Sequence, residues 1–346
     1  MIRRIFSAVN LRRAVQIVFL LAFVAGVAWT RPVPGVEPSP LVKVWFLFDP
    51  LILAATWLAA HAVPIALLLS LIVLAVTVVL GRVFCGWICP FGTIHDLAGR
   101  FFDGRRRKAR PREHWSPRQR AKYYLLIGFL VMAVFGGHWV TIMDPLVLLY
   151  RTTTVALFPG AQWAVEEGSN AAFQADPGVG SVRLTEVTEP VYEFFRDHVF
   201  FKANQAFVGG TLIVALFIGI VALNVYRRRF WCRYLCPLGA LLGLFARWPL
   251  LRRKTDGEAC NQCGLCAAGC HGVASEGPGD PWIPSECLGC LNCTDQCNRG
   301  ALKFRFVLPW RKEPKRQGVG LSRRMVMGAA AGGVAALALM RATPQG

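Results

Sequence analysis

Four runs of apolar residues, Ala14–Thr30, Ala62–Leu80, Tyr123–Met143 and Ala206–Tyr226, hold no Asp, Glu, Lys or Arg. Each is close to the ~20 residues that an α-helix needs to cross a hydrocarbon core about 30 Å thick. Few structures are open to such segments. In lipid the backbone must satisfy its own hydrogen bonds, so the runs are expected to be helices. Core helices of a soluble domain rarely come at this length, uncharged and with basic flanks. The runs also explain a mean hydropathy of +0.42 and a hydrophobic share of 54%.

The formal net charge is +19. In a soluble domain that balance would point to nucleic acid, but the basic residues alternate with the apolar runs. Residues 1–13 carry four Arg and no acid, residues 81–122 eleven Lys/Arg against three acids, and residues 227–324 seventeen against seven. Residues 144–205 carry four basic and eight acidic residues. This is the positive-inside pattern. It predicts a cytoplasmic N-terminus, a cytoplasmic loop at 81–122 and a cytoplasmic segment from Arg227. Residues 31–61 and 144–205 are expected outside. No basic stretch accompanies a base-reading motif, so no nucleic-acid partner is expected; membrane lipid is.

The chain repeats itself. Phe48-Asp49-Pro50-Leu51 precedes the second run, which leads into Phe84-Cys85-Gly86-Trp87-Ile88-Cys89-Pro90-Phe91-Gly92. Met143-Asp144-Pro145-Leu146 ends the third run, and the fourth leads into Trp231-Cys232-Arg233-Tyr234-Leu235-Cys236-Pro237-Leu238-Gly239. Two hairpins of the same orientation imply a parallel repeat about an axis along the membrane normal. The segment Val44–Ala60, broken by Asp49-Pro50, is expected to be an external interfacial helix, because Pro interrupts a helix interior and a charge is costly in hydrocarbon. Residues 151–205 are expected to form a small external cap with its tip near Asp176–Gly180.

Eight of the twelve cysteines fall within residues 256–300, as Cys260-x2-Cys263-x2-Cys266-x3-Cys270 and Cys287-x2-Cys290-x2-Cys293-x3-Cys297. In this doubled pattern three cysteines wrap one cubane and the fourth ligates the other. The spacing therefore predicts one 4Fe–4S cluster on Cys260, Cys263, Cys266 and Cys297, and a second on Cys287, Cys290, Cys293 and Cys270. Zinc sites take four ligands in two pairs, and a reducing cytoplasm disfavours disulfides. His271 and Asn298 stand where bacterial ferredoxins usually place Pro, and His271 reads as an exposed loop residue.

Cys85, Cys89, Cys232 and Cys236 form a second set. A spacing of four puts both thiols of a pair on one helical face. If the halves pack about their axis, the four converge on a further metal, cluster or redox-thiol site near the membrane surface; packing of small residues is the plain alternative. His138, six residues before Asp144, and His61 are candidates for a quinone site, since polar groups inside membranes tend to be functional. Ser322-Arg323-Arg324 before an Ala/Gly-rich run resembles a twin-arginine export signal. A fifth anchor is the other reading, on a run short for spanning. There is no dinucleotide fingerprint and no haem-attachment motif.

These features predict a mostly α polytopic protein. A four-helix membrane domain occupies 1–255, a cytoplasmic ferredoxin domain with two 4Fe–4S clusters 256–302, a basic linker 303–321 and a signal-like or anchoring segment 322–346. Two Cys-x3-Cys-Pro elements followed by two 4Fe–4S motifs resemble the NapH-type membrane ferredoxins, in a superfamily shared with the membrane module of NosR and the CcoG/FixG-type proteins. The match covers roughly residues 10–305. It carries neither the preceding flavin-attachment domain of the NosR type nor the C-terminal extension of the CcoG/FixG type. The resemblance implies a quinol dehydrogenase component in the inner membrane of a bacterium. Such a subunit passes electrons between the quinone pool and an extracytoplasmic reductase through an exported multi-cluster ferredoxin. The CcoG/FixG branch implies instead a copper reductase or oxidase assembly factor, and the NosR branch a redox-sensing regulator.

Overall fold

The computed structural model describes residues 7–30, 40–106, 115–175, 178–179, 182–183, 190, 192–193, 210–275, 282–307 and 319–342. Helix α1 (Ala8–Trp29) is capped by Ser7, whose hydroxyl accepts from the Asn10 amide. It starts six residues before the expected span, because Arg12 and Gln16 find buried partners below the apolar stretch. Helices α2 (Pro40–Leu47) and α3 (Pro50–Ala60) meet at a 73° bend. The expected interfacial helix over Val44–Ala60 is thus a broken pair, and the Asp49 at its break is fully buried. A 3-10 turn, Ile65–Leu69, leads into α4 (Ser70–Leu80), and a π-turn, Phe84–Ile88, into α5 (Pro90–Arg106).

In the second half α6 (Ala121–Val134) ends at Gly136, whose φ of +82° suits glycine. After a 3-10 turn, Trp139–Ile142, come α7 (Pro145–Thr152), a π-turn at Thr153–Leu157, and α8 (Phe158–Ala175). A short strand pair follows, β1 (Gly178–Val179) with β2 (Val182–Arg183). Then come α9 (Gly210–Ala222), α10 (Phe230–Tyr234) and α11 (Pro237–Phe245). Most of the cap tip at 176–180 and of the linker 303–321 lies outside the described residues.

By length and composition two described helices qualify as spans, α1 and α14 (Arg323–Ala342), or three if the bent pair counts as one. The four equal spans expected from the runs are therefore met only in part. Ile65–Leu80 and Gly210–Val225 are apolar but shorter; sixteen residues rise about 24 Å. Pro64 and the Gly136–Gly137 turn cut the runs that hydropathy joins. The reverse holds at the C-terminus. The run judged short for spanning is a 20-residue helix, lengthened by Arg323, Arg324 and Arg341. It packs closely along α6: a Cβ on Gly333 would lie 2.5 Å from the Gly128 carbonyl oxygen, the close backbone approach that small residues permit between membrane helices.

The cysteine-rich unit is bounded by β3 (Leu251–Thr255) and β4 (Leu302–Phe306), antiparallel with Leu251 opposite Phe306 and Thr255 opposite Leu302. Two single-turn helices, α12 (Leu265–Ala268) and α13 (Asn292–Asp295), lie in contact between them. With so little apolar core, the unit depends on its cysteines for a centre.

Candidate iron–sulfur site

The two Cys-x3-Cys-Pro elements end in the same way. Pro90 and Pro237 donate no hydrogen bond, so each turn closes one residue late: the Cys89 amide donates to Phe84 O and the Cys236 amide to Trp231 O, both at 2.9 Å. Cys85 thus sits in a π-turn, whereas Cys232 lies in α10 and the widened turn closes only at Cys236. Each second cysteine opens the next helix, with the Gly92 amide 3.5 Å from Cys89 Sγ and the Gly239 amide 3.2 Å from Cys236 Sγ. All four cysteines are buried, and each lies within electrostatic reach of the others. Burial pushes the Cys232 thiol up to about 11, against the pull of Arg229. Such thiols ionise readily only with a cation to bind.

Two arginines that the sequence analysis missed flank this site. Arg82 and Arg229 each stand three residues before the leading cysteine of their half, an offset the repeat itself displays. Each reaches into the opposite half. A Cβ on Gly239 would lie 2.8 Å from Arg82 Nη2, and one on Gly92 3.8 Å from Arg229 Nη1. Arg229 Nη1 donates to Cys85 O at 3.0 Å. Both guanidiniums are buried, and Nη2 of each has no hydrogen-bond partner among the described residues. Four thiols ringed by amide donors and two cations suit an anionic iron–sulfur cluster. Among the described residues no three His, Cys, Asp or Glu side chains converge closely enough for a single metal ion; a cubane spreads its ligands more widely.

In the cysteine-rich unit, Cys270 lies within electrostatic reach of Cys287, Cys290 and Cys293, the crossover set. Burial, then Cys270, pushes Cys287 up to about 12. Cys260, Cys266 and Cys297 are half-buried and Cys263 is exposed. Gly269 leaves room for the Gln296 side chain beside Cys297, which would meet its Cβ at 1.9 Å.

The unit docks on both halves of the membrane domain. A Cβ on Gly86 would lie 2.1 Å from Leu288 O, and Trp87 Nε1 donates to Gly289 O at 3.0 Å. Asp96 of α5 binds Arg229 (2.9 Å), Arg12 (3.1 Å) and His271 Nδ1 (2.8 Å). Although burial works to raise it, Arg229 and His271 hold Asp96 well below the usual carboxylate range. His271, expected as an exposed loop residue, is instead half-buried and held between Asp96 and Asn292. Glu286 pairs with Lys122, accepts from Tyr123 Oη (3.2 Å) and lies 3.7 Å from Arg82.

The quinone candidates are scattered. His61 is exposed in a left-handed cap. His138 is exposed and bonds Thr56 Oγ1 at 3.1 Å. Asp144 is fully buried, and its Oδ1 accepts from the Leu146 and Val147 amides.

The family model of a 4Fe–4S binding domain matches residues 62–109 and 210–256, the segments that hold the two Cys-x3-Cys-Pro elements. The methylamine utilization ferredoxin-type protein MauN of Paracoccus denitrificans is 30% identical over 294 residues, 80% of this chain and 81% of that one. The ferredoxin-type protein NapH of Haemophilus influenzae is 27% identical over 317 residues, 85% and 88% of the two chains. The putative electron transport protein YccM of Escherichia coli is 27% identical over 246 residues, 69% of this chain but only 54% of its own length. No solved structure matches.

Proposed function

Since this chain belongs to the NapH-type membrane ferredoxin family, which includes MauN, we propose that it passes electrons between the quinone pool and an extracytoplasmic reductase system through a partner ferredoxin. The observation that carries this reading is the close contact of the Gly86 backbone and the Trp87 indole with the carbonyls of Leu288 and Gly289. It sets the Cys85–Cys89 turn directly against the Cys287–Cys290 loop.

Cys260, Cys263, Cys266 and Cys297 hold one 4Fe–4S cluster and Cys287, Cys290, Cys293 and Cys270 a second. Cys85, Cys89, Cys232 and Cys236 hold a third iron–sulfur centre on the seam between the halves. When bound, these groups supply one-electron chemistry, which lets the two electrons of a quinol be taken singly. The protein's own part is positioning. Arg82 and Arg229 offset the negative charge of the seam centre, while Asp96 and Glu286 hold the ferredoxin unit against it. The positive-inside pattern supports placing that unit in the cytoplasm.

The test uses the full chain, isolated anaerobically and reconstituted in lipid. Menaquinol should reduce its clusters as followed by electron paramagnetic resonance. Clusters that stay oxidised under excess quinol would defeat the quinone link. Copper retained on the four seam cysteines in place of iron would favour the copper-reductase reading.

A further inference from the structure

Asp49 and Asp144 occupy equivalent places in the two halves, each capping a helix that starts with Pro. Asp49 Oδ1 accepts from the Leu51 amide at 2.8 Å. Asp144 Oδ1 accepts from the Leu146 and Val147 amides at 2.8 and 3.0 Å. Both side chains are 0% exposed. Among the described residues neither buried Oδ2 atom has a hydrogen-bond partner, and the two carboxyl groups lie within electrostatic reach of each other. A carboxylate has no hydrogen to give, so the two can hydrogen-bond to each other only if one of them carries a proton. Two adjacent desolvated carboxylates do not both ionise.

Among the described residues no cation forms an ion pair with either carboxyl; Lys43 lies on α2, which leads to Asp49, and His138 bonds Thr56 of α3. Helices α3, α4, α9 and α11 and the Trp139–Ile142 turn carry no ionisable side chain. Helix α7 carries Tyr150 and Arg151 toward its far end, α6 carries Lys122, Tyr123 and Tyr124 in its first turn, and α5, which packs on α7, carries His95 and Asp96. Lys122 is engaged by Glu286, and Asp96 by Arg12 and Arg229. The thiol site is close enough to matter: Asp144 acts electrostatically on Cys89.

We propose that Asp49 and Asp144 form a proton-holding carboxyl pair on the seam, one proton shared between two carboxylates, whose occupancy follows the charge at the four seam thiols. As one electron is added there, the pair takes one proton from water, forming a second carboxyl O–H bond. It returns that proton when the electron leaves. The resting shared proton follows from the burial of two neighbouring carboxyls whose Oδ2 atoms have no donor among the described residues; the coupling rests on the reading of the thiols as a redox centre. A net charge added in a low-dielectric interior is thereby balanced close to where it is added.

Infrared spectroscopy of the full chain, with isotope-labelled aspartate, reads both parts. The expected result is one protonated aspartate per chain at pH 7, lost in Asp49→Asn and in Asp144→Asn, with its band shifted when dithionite reduces the wild type. An Asn side chain keeps the cap and can donate to the facing carboxylate, so both variants should fold. Should either fail to fold, the labelled wild type still decides. No protonated aspartate at pH 7, or one that persists in both Asn variants, overturns the pair. A band that ignores reduction while the cluster signals appear overturns the coupling. The Cys85→Ser/Cys232→Ser variant separates the two readings: the resting band should survive and its response to dithionite should vanish. A response that survives in that variant overturns the coupling to the seam thiols.

Discussion

In the first half, Gly86 and Trp87 follow the leading cysteine and His95 and Asp96 lie on the helix beyond; in the second half the same places hold Arg233, Tyr234, Leu242 and Gly243. The difference tracks what each half touches. Gly86 and Trp87 press on Leu288 and Gly289, and Asp96 gathers Arg12, Arg229 and His271. Buried Arg233, by contrast, donates to its own turn at Arg228 O, 3.3 Å away, and Gly243 lets the Tyr123 hydroxyl and Ser285 O come close. Arg, Cys, Cys, Pro, Gly and the capping Asp recur in both halves because they meet at the seam. A duplicated sequence keeps its symmetry where copies face each other and loses it where the two copies meet different parts of a partner.

Asp96→Ala should break this asymmetry most severely. Removing one member of a buried ion cluster leaves uncompensated charge and costs about 3–5 kcal/mol. Thermal unfolding in detergent should show the loss, with protease cutting between the membrane and ferredoxin units; Asp256→Ala, on an exposed site, should change neither. Next comes Gly86→Val, whose Cβ would fall 2.1 Å from Leu288 O. Quinol-driven cluster reduction should slow by tenfold or more, on the order of the 1.4 kcal/mol that a decade represents. Arg233→Gly at the matching place should slow it far less. Equal effects from the two would end the comparison.

Smaller effects bear on the electrostatics. Burial holds His95 down to about 4 from its ordinary 6.5, and it accepts a hydrogen bond from Asn224 as a neutral ring. Between these values the unfolded chain takes a proton that the folded one refuses. Stability is therefore full above pH 6.5 and falls by about 3 kcal/mol as pH drops to about 4. In His95→Gln that slope should flatten. The pairing of Asp96 adds nothing in this window, since its loss begins only near the ordinary value of 3.8. Arg82→Gln should lower the midpoint potential of the seam centre, because a nearby cation favours the form with the extra electron. A loss of about 1 kcal/mol corresponds to roughly 40 mV for one electron. An unchanged or raised potential would contradict the place given to Arg82.

Much of this was legible from the chain alone. The Cys spacings, the doubled Asp-Pro-Leu and Cys-x3-Cys-Pro elements and the apolar runs are local patterns, and local chemistry dictates them. Arg82 and Arg229 were legible too, at a fixed offset in both halves, but a lone arginine near a membrane end is usually a solvated flank. The contact of Asp49 with Asp144 was not legible. Hydropathy sends a charged turn to the surface, whereas two such turns can be buried together if they share a proton. The lengths of the helices were obscured for a related reason. Glycine and proline cut the apolar runs without lowering their hydropathy, and Arg12 extends α1 because Asp96, 84 residues away, accepts it.

The central claim is that the four seam cysteines hold an iron–sulfur centre apart from the two of the ferredoxin unit. Iron and acid-labile sulfide counted on anaerobically isolated full-length protein test it most directly. Three 4Fe–4S clusters predict about twelve irons per chain, falling to about eight in Cys85→Ser/Cys232→Ser. An equal iron content in wild type and variant would contradict it.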